Sequence, residues 1–101
     1  QSLLNQIGIF SVFDFDDNYL GWFMLRKTEF DGPELGYMMV REFWGQGFAS
    51  EISLSLLNHF KYAKVYARTH KDNPASFRVL EKIGFKVDSR KDDTIILRLD
   101  G

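Results

Sequence analysis

Between Leu35 and Phe60 the chain changes its periodicity abruptly, and no other stretch restricts the available folds as much. LGYMMV, 35–40, is apolar at every second and every intervening position, the pattern of a strand inside a sheet. WGQG follows. Then Phe48, Ile52, Leu56 and Phe60 recur every fourth residue with Leu57 beside them, one apolar helix face over about 48–61. Glycines between a strand and a helix free main-chain N–H groups at the helix start, where the partial positive charge favours an anion such as phosphate. A tight turn that needs glycine for geometry alone has the same appearance.

The flanking segments limit the fold further. Ile7–Phe15 and Tyr19–Lys27 are rich in β-branched and aromatic residues and are separated by Asp16, Asp17 and Asn18, which reads as a β-hairpin. Glu29–Glu34 contains Gly32-Pro33 and reads as a turn before the central strand. Val65–His70 is a short strand. Asn73-Pro74 matches an N-cap followed by proline at the first helical position, Phe77, Leu80 and Ile83 form an apolar stripe, and Gly84 closes the helix. Phe85–Ser89 and Thr94–Leu99 are two last strands joined by RKDD. The order β-β-β-α-β-α-β-β describes a single α+β (mixed α/β) domain over 1–101. Its mixed, mostly antiparallel sheet includes at least one right-handed βαβ crossover.

Composition excludes several function classes. Thirteen Lys+Arg against 14 Asp+Glu leave no basic surplus for nucleic acid, and without cysteine there is no thiolate chemistry. His59 and His70 belong to no metal-spaced cluster. No apolar run nears the roughly 20 residues of a membrane span, and QSLLNQIGIF has no basic leader region. The expectation is a soluble cytoplasmic protein with no metal, nucleic-acid or membrane partner.

Two phosphate frames fail on the glycine turn. A dinucleotide frame needs a carboxylate at the end of the next strand, and His70-Lys71 stand there. A Walker frame needs G-K-[ST], which does not occur. What is left is a short loop holding a pyrophosphate by main-chain N–H groups alone.

WGQGFASE, 44–51, and NPASFRVLEKIGF, 73–85, together resemble the GNAT superfamily of acetyl-CoA-dependent N-acetyltransferases. The likeness is closest to the subgroup that acetylates ribosomal-protein N-termini, spermidine and some antibiotics. It covers roughly Phe10 to Leu99. It implies acetyl transfer from acetyl-CoA to a primary amine, a small molecule or a protein N-terminus, by direct attack in a ternary complex without a metal. The pantetheine arm of CoA would lie where Leu35–Val40 and Val65–His70 splay apart, held by main-chain groups of Met38, Met39 and Val40. Its pyrophosphate would rest on Gly45, Gln46, Gly47, Phe48 and Ala49, with Asn73 on the far wall. Arg41 is either a phosphate contact or a solvated charge, and Glu51 complements the helix dipole.

The catalytic roles follow from the same resemblance. The tyrosine that many members use to protonate the thiolate is replaced by Leu80. Ser76 can donate instead, or simply cap the helix with Asn73. Glu34 is the candidate for binding or deprotonating the amine, with Tyr37 second; an edge carboxylate is the alternative for Glu34. His70 is a strand-end histidine or a weaker candidate. The family's first strand and two helices have no counterpart before the hairpin. A homodimer that covers the exposed sheet is therefore expected, and the alternative to an active acetyltransferase is a catalytically silent domain that binds CoA or serves only in assembly.

Overall fold

The computed structural model of the chain describes residues 6–101, with side chains from residue 8 onward. The reading that no leader region is present falls partly on the first five residues, which lie outside the described ones.

Strands β1 (Gln6–Phe13) and β2 (Tyr19–Arg26) form the expected antiparallel hairpin. The first strand ends at Phe13 and not Phe15, because the Asp14 carboxylate organises the turn. Its Oδ1 accepts the N–H groups of Asp16 and Asn18 at 2.8 and 2.9 Å, and Asp17 takes a left-handed φ of 64°. These bonds, that from the Asn18 side chain foremost, hold the Asp14 carboxyl below its ordinary pKa.

The chain continues through β3 (Glu34–Met39), a short 3-10 turn (Arg41–Phe43), α1 (Phe48–His59), β4 (Lys64–His70) and α2 (Pro74–Ile83). It ends in β5 (Lys86–Lys91) and β6 (Thr94–Asp100). Helix α2 starts as its sequence requires, with Asn73 Oδ1 accepting the Ser76 N–H at 3.2 Å. It stops at Gly84, φ 120°, whose N–H reaches the carbonyls of Leu80 and Glu81 at 3.2 and 3.0 Å. β5 extends to Lys91 because Asp92, at φ 56°, tightens the RKDD turn.

The six strands lie in the order β1-β2-β3-β4-β6-β5, and only β3 and β4 are parallel. This is the expected mixed α+β architecture. The main core joins Leu25, Leu35, Val65, Ala67 and Leu97 of the sheet to Leu80 of α2 and to Phe85. A smaller cluster, Leu20, Phe23 and Met39, packs against Phe43, Phe48 and Ile52. Register places Ile9, Trp22, Met24 and Met38 on the opposite face, where Ile9 and Met38 are 52% and 40% exposed.

Helix α1 differs from its sequence reading at the centre of its buried face. Ser50 and Ser53 are buried there, while Phe48, Ile52, Leu56 and Phe60 are half-buried on the flank. Helix α1 packs against α2. The Ser53 hydroxyl is fully buried and has no hydrogen-bond partner among the described residues. Ser53→Ala is therefore expected to stabilise the fold by about 1 kcal/mol, read from a urea midpoint. A loss of stability would show that the hydroxyl is bonded after all.

Candidate active site

Along a strand, main-chain groups point alternately to the two sides. The Val40 N–H donates to Leu20 O at 2.8 Å, which makes Leu20/Val40, Trp22/Met38 and Met24/Gly36 the hydrogen-bonded pairs between β2 and β3. Tyr37 and Met39 consequently turn their N–H and C=O groups to the other edge, toward β4. β4 meets that edge at one pair only, Glu34 with Tyr66, where the Tyr66 N–H donates to Pro33 O at 2.8 Å. Beyond this bridge the strands part. The Lys71 N–H donates to Asp93 O at 2.8 Å, so the alternation turns Arg68 and His70 main-chain groups into the same gap.

Of Met38, Met39 and Val40, then, only Met39 presents its main chain to the gap; the other two are occupied by β2. Tyr37, singled out for its side chain, adds main-chain groups that sequence reading missed. Met39 O accepts the Trp44 indole N–H at 2.8 Å, while the Met39 N–H has no main-chain acceptor among the described residues.

The glycine turn lies beside this gap. Gly45 and Gly47 have φ of 76° and 82°, and a Cβ on either would meet nothing within 4 Å. Conformation, not crowding, requires glycine at both. Gly47 is the N-cap of α1 and brings no side-chain bond. The N–H groups of Gly47, Phe48, Ala49 and Ser50 have no acceptor among the described residues. Gln46 turns away, its Nε2 donating to Glu42 O at 3.1 Å. The Arg41 guanidinium stacks over the Trp44 ring at 5.3 Å and stays outside the cleft lining.

Gap and helix start open into one cleft of about 530 Å³. Tyr37, Met38, Met39, Phe43 and Phe48 contribute its apolar part, and Gly45, Gly47 and Ala49 its turn. The other wall is one face of α2, where Asn73, Ser76, Val79 and two basic residues, Arg78 and Lys82, line the space. Neither base has an acidic partner within 4.0 Å among the described residues. Sequence reading missed both. Their helical spacing, on the side away from Phe77, Leu80 and Ile83, is the signal that identifies them once the wall is known. Leu80 itself is buried in the core.

Tyr37 and Ser76 come together across the cleft, from β3 and α2. Burial raises the Tyr37 phenol above its ordinary pKa, and the Ser76 side chain offsets part of this. The tyrosine ring stacks on Phe23 with centroids 5.2 Å apart and planes 12° apart.

Glu34 lies outside the cleft lining, at the bridge where β3 and β4 still pair. Its Oε1 is 3.5 Å from Arg26 and 3.2 Å from Arg68, near enough for ion pairing but not aligned for a hydrogen bond. Arg68 also contacts Glu29 at 3.1 Å and stacks over Phe30 at 5.0 Å. His70 is likewise outside the lining. Its Nδ1 accepts the Asp72 N–H at 3.1 Å, which assigns the proton of the neutral ring to Nε2.

Among the described residues there is no group of three or more side chains suited to a metal, and no helix is long and apolar enough to cross a membrane.

A family model described as an acetyltransferase (GNAT) domain matches residues 2–86. YkkB, an uncharacterized protein of Bacillus subtilis (strain 168), is 42% identical over 55 residues, which are 50% of this chain and 32% of YkkB. The crystal structure of an acetyltransferase from Agrobacterium tumefaciens str. C58 superposes with a TM-score of 0.80 at 20% identity, over 93% of this chain and 61% of that one. A chimera of spermidine N-acetyltransferase SpeG from Vibrio cholerae and hSSAT gives 0.77 at 20% identity, over 91% and 65%. The chain thus spans 32% of the curated relative and less than two thirds of these solved structures, whose likeness at this identity concerns the fold.

Proposed function

Because the chain belongs to the acetyltransferase (GNAT) domain family, we propose that it moves an acetyl group from acetyl-CoA to a primary amine, a small molecule or a protein N-terminus, by direct attack in a ternary complex. One observation carries this reading: an unpaired strand edge opens beside a helix start whose N–H groups have no acceptor among the described residues. An extended amide arm fits the first as an added strand, and a diphosphate fits the second.

In this arrangement the N–H groups of Gly47, Phe48 and Ala49 hold the pyrophosphate, with Gly45 and Gln46 shaping the turn. The main-chain groups of Tyr37 pair with the pantetheine arm. Arg78 and Lys82 supply the positive charge that the turn itself lacks, while Asn73 and Ser76 close the far wall. The Met39 N–H faces the gap as a donor for the developing oxyanion. Bound acetyl-CoA supplies a thioester carbonyl; the residues here orient it and exclude water. Glu34, held between two guanidiniums, orders the bridge at which the gap begins and stands off from the amine.

The open face with Ile9, Trp22 and Met38 is the surface through which the chain would form a homodimer, and the setting for this chemistry is cytoplasmic. A monomer by light scattering at micromolar concentration would count against the dimer.

Titration calorimetry with CoA, followed by acetyl-CoA turnover against amines that include spermidine, tests the function. No binding would sink it. Binding without turnover would support a second reading, a silent CoA-binding domain, which one fact favours: among the described residues no Asp, Glu or His lines the cleft. Replacing Arg78 and Lys82 together by alanine is expected to raise the CoA dissociation constant by about tenfold to hundredfold and to flatten its salt dependence.

A further inference from the structure

We propose that the Tyr37 hydroxyl is the proton carrier of the cleft: it donates to the departing sulfur, recovers a proton from the attacking nitrogen, and is oriented by Ser76. This inference rests on the acetyl-transfer reading above. It starts from the lining of the cleft, which among the described residues includes no carboxylate or imidazole to take the amine proton.

Among the side chains that line the cleft, few can exchange a proton with a thiolate. The Trp44 indole N–H is engaged by Met39 O, and Ser50 is buried at the start of α1. Arg78 stays protonated. Lys82 stands six residues along α2 from Ser76. Tyr37 and Ser76 remain. A thiol has a pKa of about 8.5 and a phenol about 10, whereas an alcohol is far weaker as an acid, so the phenol is the better donor to sulfur.

Geometry holds Tyr37 ready. Its ring is stacked against Phe23, its strand position faces the helix side, and it lines the same cleft as Ser76 of the far wall. The charged groups that line the same space are Arg78 and Lys82 on α2; α1, the glycine turn and β3 bring none. Burial disfavours the phenolate and so favours the proton on the Tyr37 hydroxyl. That direction suits a donor and runs against Tyr37 as the initial base.

The balance closes without an external base. The amine enters neutral, its nitrogen bonds to the thioester carbon, and the carbon–sulfur bond breaks with its electron pair on sulfur. The phenolic proton moves to sulfur. The nitrogen then releases one proton to the phenolate, through the Ser76 hydroxyl or a solvent molecule. The products are the amide and the free thiol, and Tyr37 is restored.

The test compares the unaltered chain with Tyr37→Phe and Ser76→Ala, using acetyl-CoA and the best acceptor from the amine panel. Tyr37→Phe is expected to lower kcat about 100-fold with unchanged CoA affinity and KM, and to lose the fall in kcat at high pH. In Ser76→Ala the same fall is expected to move to higher pH, because the hydroxyl that favours the phenolate is gone. Tyr37→Phe with kcat within twofold of the parent, or an unmoved alkaline limb in Ser76→Ala, would overturn the inference and leave acetyl transfer standing. No turnover by the unaltered chain with any amine would overturn both.

Discussion

Gly47→Val is expected to raise the CoA dissociation constant at least tenfold to hundredfold while the rest of the fold survives. Gly47 combines φ 82° with ψ 0°, a left-handed conformation that a β-branched residue adopts at a cost of about 1–3 kcal/mol. A Cβ at this position meets nothing in the chain itself, so the damage is not a clash inside the protein. The cost appears as backbone rearrangement at the helix start, where four N–H groups must converge. Calorimetry with CoA measures the loss, and a thermal midpoint lower by several degrees should accompany it. An unchanged affinity would show that this turn does not hold the cofactor.

Phe23→Ala is expected to be the most damaging single truncation, at about 3–5 kcal/mol. The side chain has no exposed surface, fills the smaller core cluster with Leu20 and Met39, and supports the ring of Tyr37. Since ordinary domains are stable by only about 5–15 kcal/mol, the variant should lie close to unfolding in water. Val87→Ala on β5, where every residue is exposed, should change stability by less than about 0.5 kcal/mol. Urea titration of the pair checks both values. A Phe23→Ala midpoint close to that of Val87→Ala would mean that the cluster under the cleft is not tightly packed.

Local chemistry made much of this molecule legible. Asn73-Pro74 and Gly84 bound α2 as their side chains and φ preferences require, and the β-strand order along the chain followed from apolar runs and turn residues. What escaped depends on neighbours remote in sequence. The side of β3 that is free is decided by pairing with β2, so Met38 and Val40 cannot be told from Met39 by inspection. Glu34 is drawn into ion pairs by Arg26 and Arg68, which arrive on two different strands. Arg78 and Lys82 have the look of a solvated helix face until the glycine turn stands opposite them. The serines of α1 count as core only because a second helix packs there.

The solitary bridge between β3 and β4 has a mechanical meaning. Mechanically, the sheet is two three-stranded leaves, β1-β2-β3 and β4-β6-β5, stitched at Glu34 and Tyr66, tied there by Arg68 to Glu29 and Glu34, and left unpaired beyond. An extended ligand in the gap would act as a seventh strand, shielding amides on both leaves from exchange with solvent. Occupancy would then convert two weakly joined leaves into one unit that melts cooperatively, so that the cofactor serves as part of the fabric of the sheet as well as its cargo.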